Sequence, residues 1–157
     1  MEESGLSRGR FRSTTEHVLD AKGRLNFPSR FREVLSEYDS DVLVVVPWGA
    51  DNLRLYPLVE WEDVEDRVLT EGRGLLKLAA FIRSSFGRAT PCRLDKQGRI
   101  QLPLELRVQV GLDKNVMVVG MIHHVEIWNK AVWQQGIEES NENFESFQDQ
   151  LSQMGIF

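Results

Sequence analysis

From Phe11 to Leu19 the chain reads as a β-rich run that enters Asp20-Ala21-Lys22-Gly23, and Arg24 to Phe27 returns as a second strand. Asp suits the first position of a type I turn and Gly the left-handed position after it, so the pattern predicts a hairpin with a basic tip. Pro28 has the fixed φ of a first helical turn. Phe31, Val34 and Leu35 then fall at i, i+3, i+4, which predicts a short amphipathic helix ending near Tyr38. Val42 to Pro47 is a continuous apolar run, a buried strand, and Leu53 to Tyr56 returns after the turn residues Trp48 to Asn52. Pro57 opens a helix of about 12 residues with the apolar stripe Trp61, Val64, Val68, while Glu60, Glu62, Asp63, Glu65 and Asp66 face water.

After Gly72 and Gly74, Leu75 to Phe86 lacks β alternation and is rich in helix formers, so it reads as a helix joining two halves. The same plan then starts again. Residues Phe11 to Arg32 reappear 75 positions later as Phe86 to Arg107, with LDxxGR, a proline four residues on and a final arginine in both. Eight of the 22 positions are identical, where ordinary residue usage gives roughly one or two by chance. Leu53-Arg54-Leu55-Tyr56 also aligns with Val125-Glu126-Ile127-Trp128, at an offset of 72. The second copy predicts strands over 89–94 and 99–102, a helix from Pro103, strands over 116–120 and 124–128 and a helix from Lys130. The fold class is therefore α+β, two tandem ββαββα units. A lone unit of about 60 residues buries too little surface, so the two are expected to share a core.

Repetition divides the chain into a flexible arm over 1–10, repeat 1 over 11–71, a linking helix over 72–85, repeat 2 over 86–139 and an acidic tail over 140–157. Phe144, Phe147 and Leu151 lie at i, i+3, i+7 in that tail, an amphipathic segment that could dock on a neighbour or hang free.

Net charge, −5, argues by itself against a polyanion partner, but its distribution reverses the inference. From Arg8 to Arg32 seven basic residues oppose two acidic ones, and from Arg83 to Arg107 six oppose two. The last 32 residues carry six acids and one lysine. No window approaches an apolar membrane span, the first residues lack a secretory h-region, and Cys92 is the single cysteine, all of which fits a reducing cytoplasm.

Turn chemistry accounts for Asp20 and Gly23 and for Asp95 and Gly98, but not for Lys22, Arg24, Lys96 and Arg99. Cations kept at both tips point to a polyanion. Guanidinium forks hold phosphates or read guanine in a major groove, which also admits a two-stranded β-ribbon, and an acid four residues from its arginine can fix its aim. The candidate site is therefore Asp20, Lys22, Arg24, Asp95, Lys96 and Arg99. Catalytic residues, cofactors and metal ligands are not expected. Cys92 reads as a small core hydrophobe, His17, His123 and His124 lack ligand spacing, and neither glycine pair, Gly5/Gly9 or Gly72/Gly74, sits in a phosphate-loop context. Trp61 and Trp133 lie on apolar helix stripes and read as core or subunit contacts.

The paired DxxxR signatures, Asp20 to Arg24 and Asp95 to Arg99, each followed by a proline-started helix and a strand pair ending in Tyr56-Pro57 or Ile127-Trp128-Asn129, resemble those of the MraZ family over about residues 10 to 135. That resemblance implies two SpoVT-AbrB domains, a swapped-hairpin (double-split) β-barrel-like core and a ring-shaped homo-oligomer. It also implies nucleoid-associated binding of repeated promoter DNA ahead of the division and cell-wall gene cluster, with Asp20, Arg24, Asp95 and Arg99 as the contacting signature. The competing expectation is an assembly module, antitoxin-like or polyanion-binding, without specific DNA readout.

Overall fold

A computed structural model describes residues 9–157; all but Gly9 and Arg10 of the expected N-terminal arm lies outside them. The elements run β1 (Thr14–Val18), β2 (Arg24–Asn26), α1 (Ser29–Ser36), β3 (Val42–Trp48), β4 (Asn52–Pro57) and α2 (Leu58–Glu71). After α3 (Leu78–Ser84) and a 3-10 turn over Phe86–Arg88 come β5 (Thr90–Arg93), β6 (Arg99–Gln101), α4 (Leu104–Gln109), β7 (Asn115–Gly120), β8 (Val125–Asn129) and α5 (Lys130–Gln153). The class is α+β, and every ladder among the named strands is antiparallel.

Pairing ignores the boundary between the halves. One sheet has the order β1-β7-β8-β4-β3-β5, so β1 of the first half lies on β7 of the second and β5 of the second on β3 of the first. The remaining strands, β2 and β6, pair only with each other as a two-stranded ribbon. Two expectations are corrected here. The barrel-like core is not closed, since the six-stranded sheet is open with β1 and β5 at its edges. Nor is Phe11–Phe27 a hairpin in the ladder sense: only the turn closes, through Asp20 N–H to the Arg24 carbonyl (2.9 Å), before β1 and β2 diverge to different partners.

The registers place a pseudo-two-fold axis. Leu25 faces Ile100, its own equivalent at the offset of 75, and Arg54 faces Glu126, its own equivalent at the offset of 72. Only positions on a two-fold axis pair with their own copies. At the first crossing two apolar residues meet, 2% and 0% exposed, on the ribbon's inner face. At the second the copies have diverged to opposite charge, and Arg54 Nε stands 3.9 Å from Glu126 Oε2.

The main core lies between the ribbon, α1 and one face of the sheet. Phe11, Phe27 and Phe31 pack there with ring centroids 5.4 and 5.8 Å apart, together with Leu25, Ile100, Leu102 and the inward residues of β3, β4, β7 and β8. Phe31, Val34 and Leu35 are the buried stripe of α1, as their spacing predicts. A second cluster covers the opposite face, where Val44, Val46, Tyr56 and Trp61 meet Phe86, and Phe81 of α3 meets Trp48 edge to face at 6.1 Å. The linking helix is shorter than its apolar run suggests, because Gly74 and Lys77 adopt left-handed φ of 88° and 66° and hold the preceding residues out of helical geometry. By contrast α5 runs without a break through residue 140, started by Asn129, whose Oδ1 accepts from the Ala131 and Val132 N–H groups.

Candidate nucleic-acid interface

Each LDxxGR turn is built around its aspartate. Oδ1 of Asp20 accepts the backbone N–H groups of Lys22 and Arg24, both at 2.9 Å, and Oδ2 accepts Nε of the Arg24 side chain at 2.7 Å. The second copy repeats the arrangement atom for atom: Oδ1 of Asp95 accepts from Gln97 and Arg99 N–H at 2.9 Å, and Oδ2 accepts Arg99 Nε at 2.9 Å. One carboxylate thus closes the turn and fixes the plane of the guanidinium. The Arg24 backbone N–H is the largest cause that pulls Asp20 below the usual carboxylate range. Lost hydration opposes it, the guanidinium and the Lys22 N–H add to it, and the pKa falls to about 2. Asp95 is lowered by the same set, with the Arg99 backbone N–H first and Gln97 in the place of Lys22.

The ribbon brings the two arginines together. Arg24 faces Gln101 and Arg99 faces Asn26, so these four residues share one face, while Leu25 and Ile100 alternate onto the core face. Arg24 and Arg99 are diagonal neighbours, about 7–8 Å apart at the backbone. Their side chains are 31% and 30% exposed, and among the described residues no acceptor meets the terminal Nη groups once Nε is engaged. Lys22 and Lys96 stand exposed on the turns at the two ends of the ribbon.

Two further cations sit where spacing alone did not assign a role. Gly23 and Gly98 have φ of 78° and 79°, which turn geometry demands. They are also covered across the axis: a Cβ on Gly23 would run into the Arg107 guanidinium, and one on Gly98 into that of Arg32. Arg107 is held by its Nε bond to the Leu102 carbonyl, 3.0 Å. The last arginine of each motif therefore lies over the turn of the other motif. Both positions are identical in the repeat, a signal that marked them; the fold that crosses them supplied the location.

The MraZ family model, described as "MraZ protein, putative antitoxin-like", matches residues 10–73 and 85–154, both halves of the chain. The chain belongs to the MraZ family. A protein of Pediococcus pentosaceus named transcriptional regulator MraZ is 42% identical over 147 residues, 93% of this chain and 99% of that protein. Proteins of the same name from Desulfosudis oleivorans and Shewanella violacea are 36% and 39% identical, covering 93% and 87% of this chain and 99% and 90% of theirs.

The MraZ-family chain holds other polar groups apart from the ribbon. His124, Glu126, Arg54 and Trp128 form a cluster on the sheet's outer face, with Trp128 Nε1 donating to Glu126 Oε1 at 2.8 Å and Arg54 lying 3.6 Å over the Trp48 ring. Burial works to raise the Glu126 carboxyl, but His124, the Trp128 N–H and the Arg54 charge together hold it low. Burial pushes the Cys92 thiol up, away from a nucleophilic thiolate, and lowers His17, whose ring meets Thr15 Oγ1 at 2.8 Å. No helix among the described residues is long and apolar enough to cross a membrane.

Proposed function

We propose that this chain is a sequence-specific transcriptional regulator that grips double-stranded promoter DNA with the outer face of the β2–β6 ribbon. One observation carries the reading: Arg24 and Arg99 lie diagonally on one face of an exposed two-stranded ribbon, each aimed by its own aspartate. A ribbon of two strands is an element that enters a major groove, and a guanidinium with both Nη groups open suits bidentate bonding to guanine or phosphate. Lys22 and Lys96 at the ribbon's ends, with Arg32 and Arg107 over the turns, supply the flanking positive charge that phosphates attract. The names of the relatives point the same way.

One ribbon offers few contacts. Several copies in a ring-shaped homo-oligomer reach tight binding through effective concentration, a gain of about 10² to 10⁴ over a single contact when operator repeats match their spacing. Tandem promoter boxes ahead of the division and cell-wall gene cluster are the expected target, in the nucleoid. Changing the box spacing is then more damaging than changing one base.

The rival is a structural or protein-partner assembly module, antitoxin-like or polyanion-binding, without specific DNA readout; the wording of the family description favours only its antitoxin likeness. A selection from random duplexes by the purified protein, with heparin and polyglutamate as competitors, separates the two. Enrichment of a repeated duplex motif supports DNA readout. Equal competition by any polyanion, with no motif, overturns it.

A further inference from the structure

Residues 137–150 of α5 are exposed without interruption. Phe144 and Phe147 are 65% and 62% exposed on that stretch and lie beside Leu151 and Phe157. A helix in this state gains nothing from its apolar side, and isolated helical turns are marginal in water. Its charge restricts what can cover it: residues 138–157 contain Glu138, Glu139, Glu142, Glu145 and Asp149 and no basic residue. DNA is excluded as the partner by that sign, and pairing of two such segments would place five acids against five.

The same chain carries a surface of opposite character. Residues 72–94 contain Arg73, Lys77, Arg83, Arg88 and Arg93 and no acidic residue. A groove of about 560 Å³ opens between α2 and α3, lined by Val64, Val68, Leu75, Leu78 and Phe81. Leu76 at its edge is 93% exposed. Glu71, the one acid among its lining residues, is already engaged with Arg67 at 3.1 Å, and the other acids of α2 lie outside the lining, whereas Arg73, Lys77 and Arg83 are exposed and enter no ion pair among the described residues. An apolar groove whose α3 margin is basic thus faces outward on one side, and an apolar helix with acidic flanks on another. Within one chain α5 packs mainly on β7 and β8.

We propose that the C-terminal half of α5 from one copy docks in the α2–α3 groove of a second copy, with Phe144 and Phe147 in the groove and the glutamates against Arg73, Lys77 and Arg83. Because the two surfaces differ, the contact is heterologous and propagates from copy to copy until it closes. This interface serves the self-association invoked above, and it is separable from DNA binding because neither surface includes the ribbon.

Charge exchange in the full-length protein tests it, read by sedimentation velocity, with circular dichroism confirming the fold. Lys77→Glu with Arg83→Glu, and separately Glu142→Lys with Glu145→Lys, should each raise the concentration for half-assembly by at least about tenfold. The chain carrying all four substitutions should recover assembly. Phe144→Ala with Phe147→Ala should dissociate it without altering the charge. A wild-type protein that is monomeric at micromolar concentration, charge variants that assemble normally, or a fourfold variant that stays dissociated would each overturn the proposal. In each case binding of a single operator box is measured in parallel, so a failure of the interface is distinguished from a failure of DNA recognition.

Discussion

At Asp20 and Asp95 one side chain has two tasks that separate by substitution. Asparagine keeps an oxygen for the turn N–H groups but removes the charged partner of the arginine Nε, so Asp20→Asn should leave the fold intact and weaken duplex binding. Comparison of urea midpoints with fluorescence anisotropy checks this, and a variant that unfolds while its folded fraction binds normally would assign Asp20 to the turn alone. Its depressed pKa gives a pH dependence with a definite sign. The ionised carboxylate favours the folded state, so its contribution is complete above about pH 4 and is lost as pH falls toward 2. An NMR titration should find the Asp20 carboxyl still ionised where exposed carboxylates have protonated. Gly98→Ala forces a left-handed alanine and displaces Arg32, and it should cost about 1–2 kcal/mol from the backbone alone, seen as a lower Tm. At this scale the sequence was informative: turn, glycine conformation and Asp–Arg pairing are local, and local spacing encodes them. What spacing could not encode was that Arg107 covers Gly23, since nothing within either motif refers to the other.

Elements are where local reasoning fell short. The β1–β2 run has the composition of a hairpin, yet β1 is drawn to β7 and β2 to β6, because exchange between halves buries Leu25 against Ile100 on the axis. Strand identity follows from alternation, but strand partnership follows from the packing of the whole core, which a pattern along one segment does not contain. Likewise the acidic stretch after residue 140 is a continuation of α5, not a separate tail, because nothing in it breaks helical geometry before Met154. The axis pair supplies a test of the interleaving. Glu126→Ala leaves Arg54 without its carboxylate and the Trp128 N–H without an acceptor, and it should destabilise the fold by about 1–3 kcal/mol in urea denaturation. An unchanged midpoint would mean that the β4–β8 seam draws nothing from this pair.

For the molecule as a whole, segregation of charge matters more than its sum. Basic residues gather around the ribbon and over 72–94 while α5 is acidic, so a net charge of −5 coexists with a cationic face. Binding through that face should weaken steeply with salt, with a log–log slope of about −0.9 for each phosphate neutralised. The most direct test joins residue and molecule: titrate an operator duplex with wild-type protein and with Arg24→Ala combined with Arg99→Ala, at matched salt, after sedimentation shows the same assembly for both. The double variant should lose specific binding entirely while keeping its fold and mass. A double variant that still shifts the operator at wild-type concentrations would contradict recognition through the ribbon.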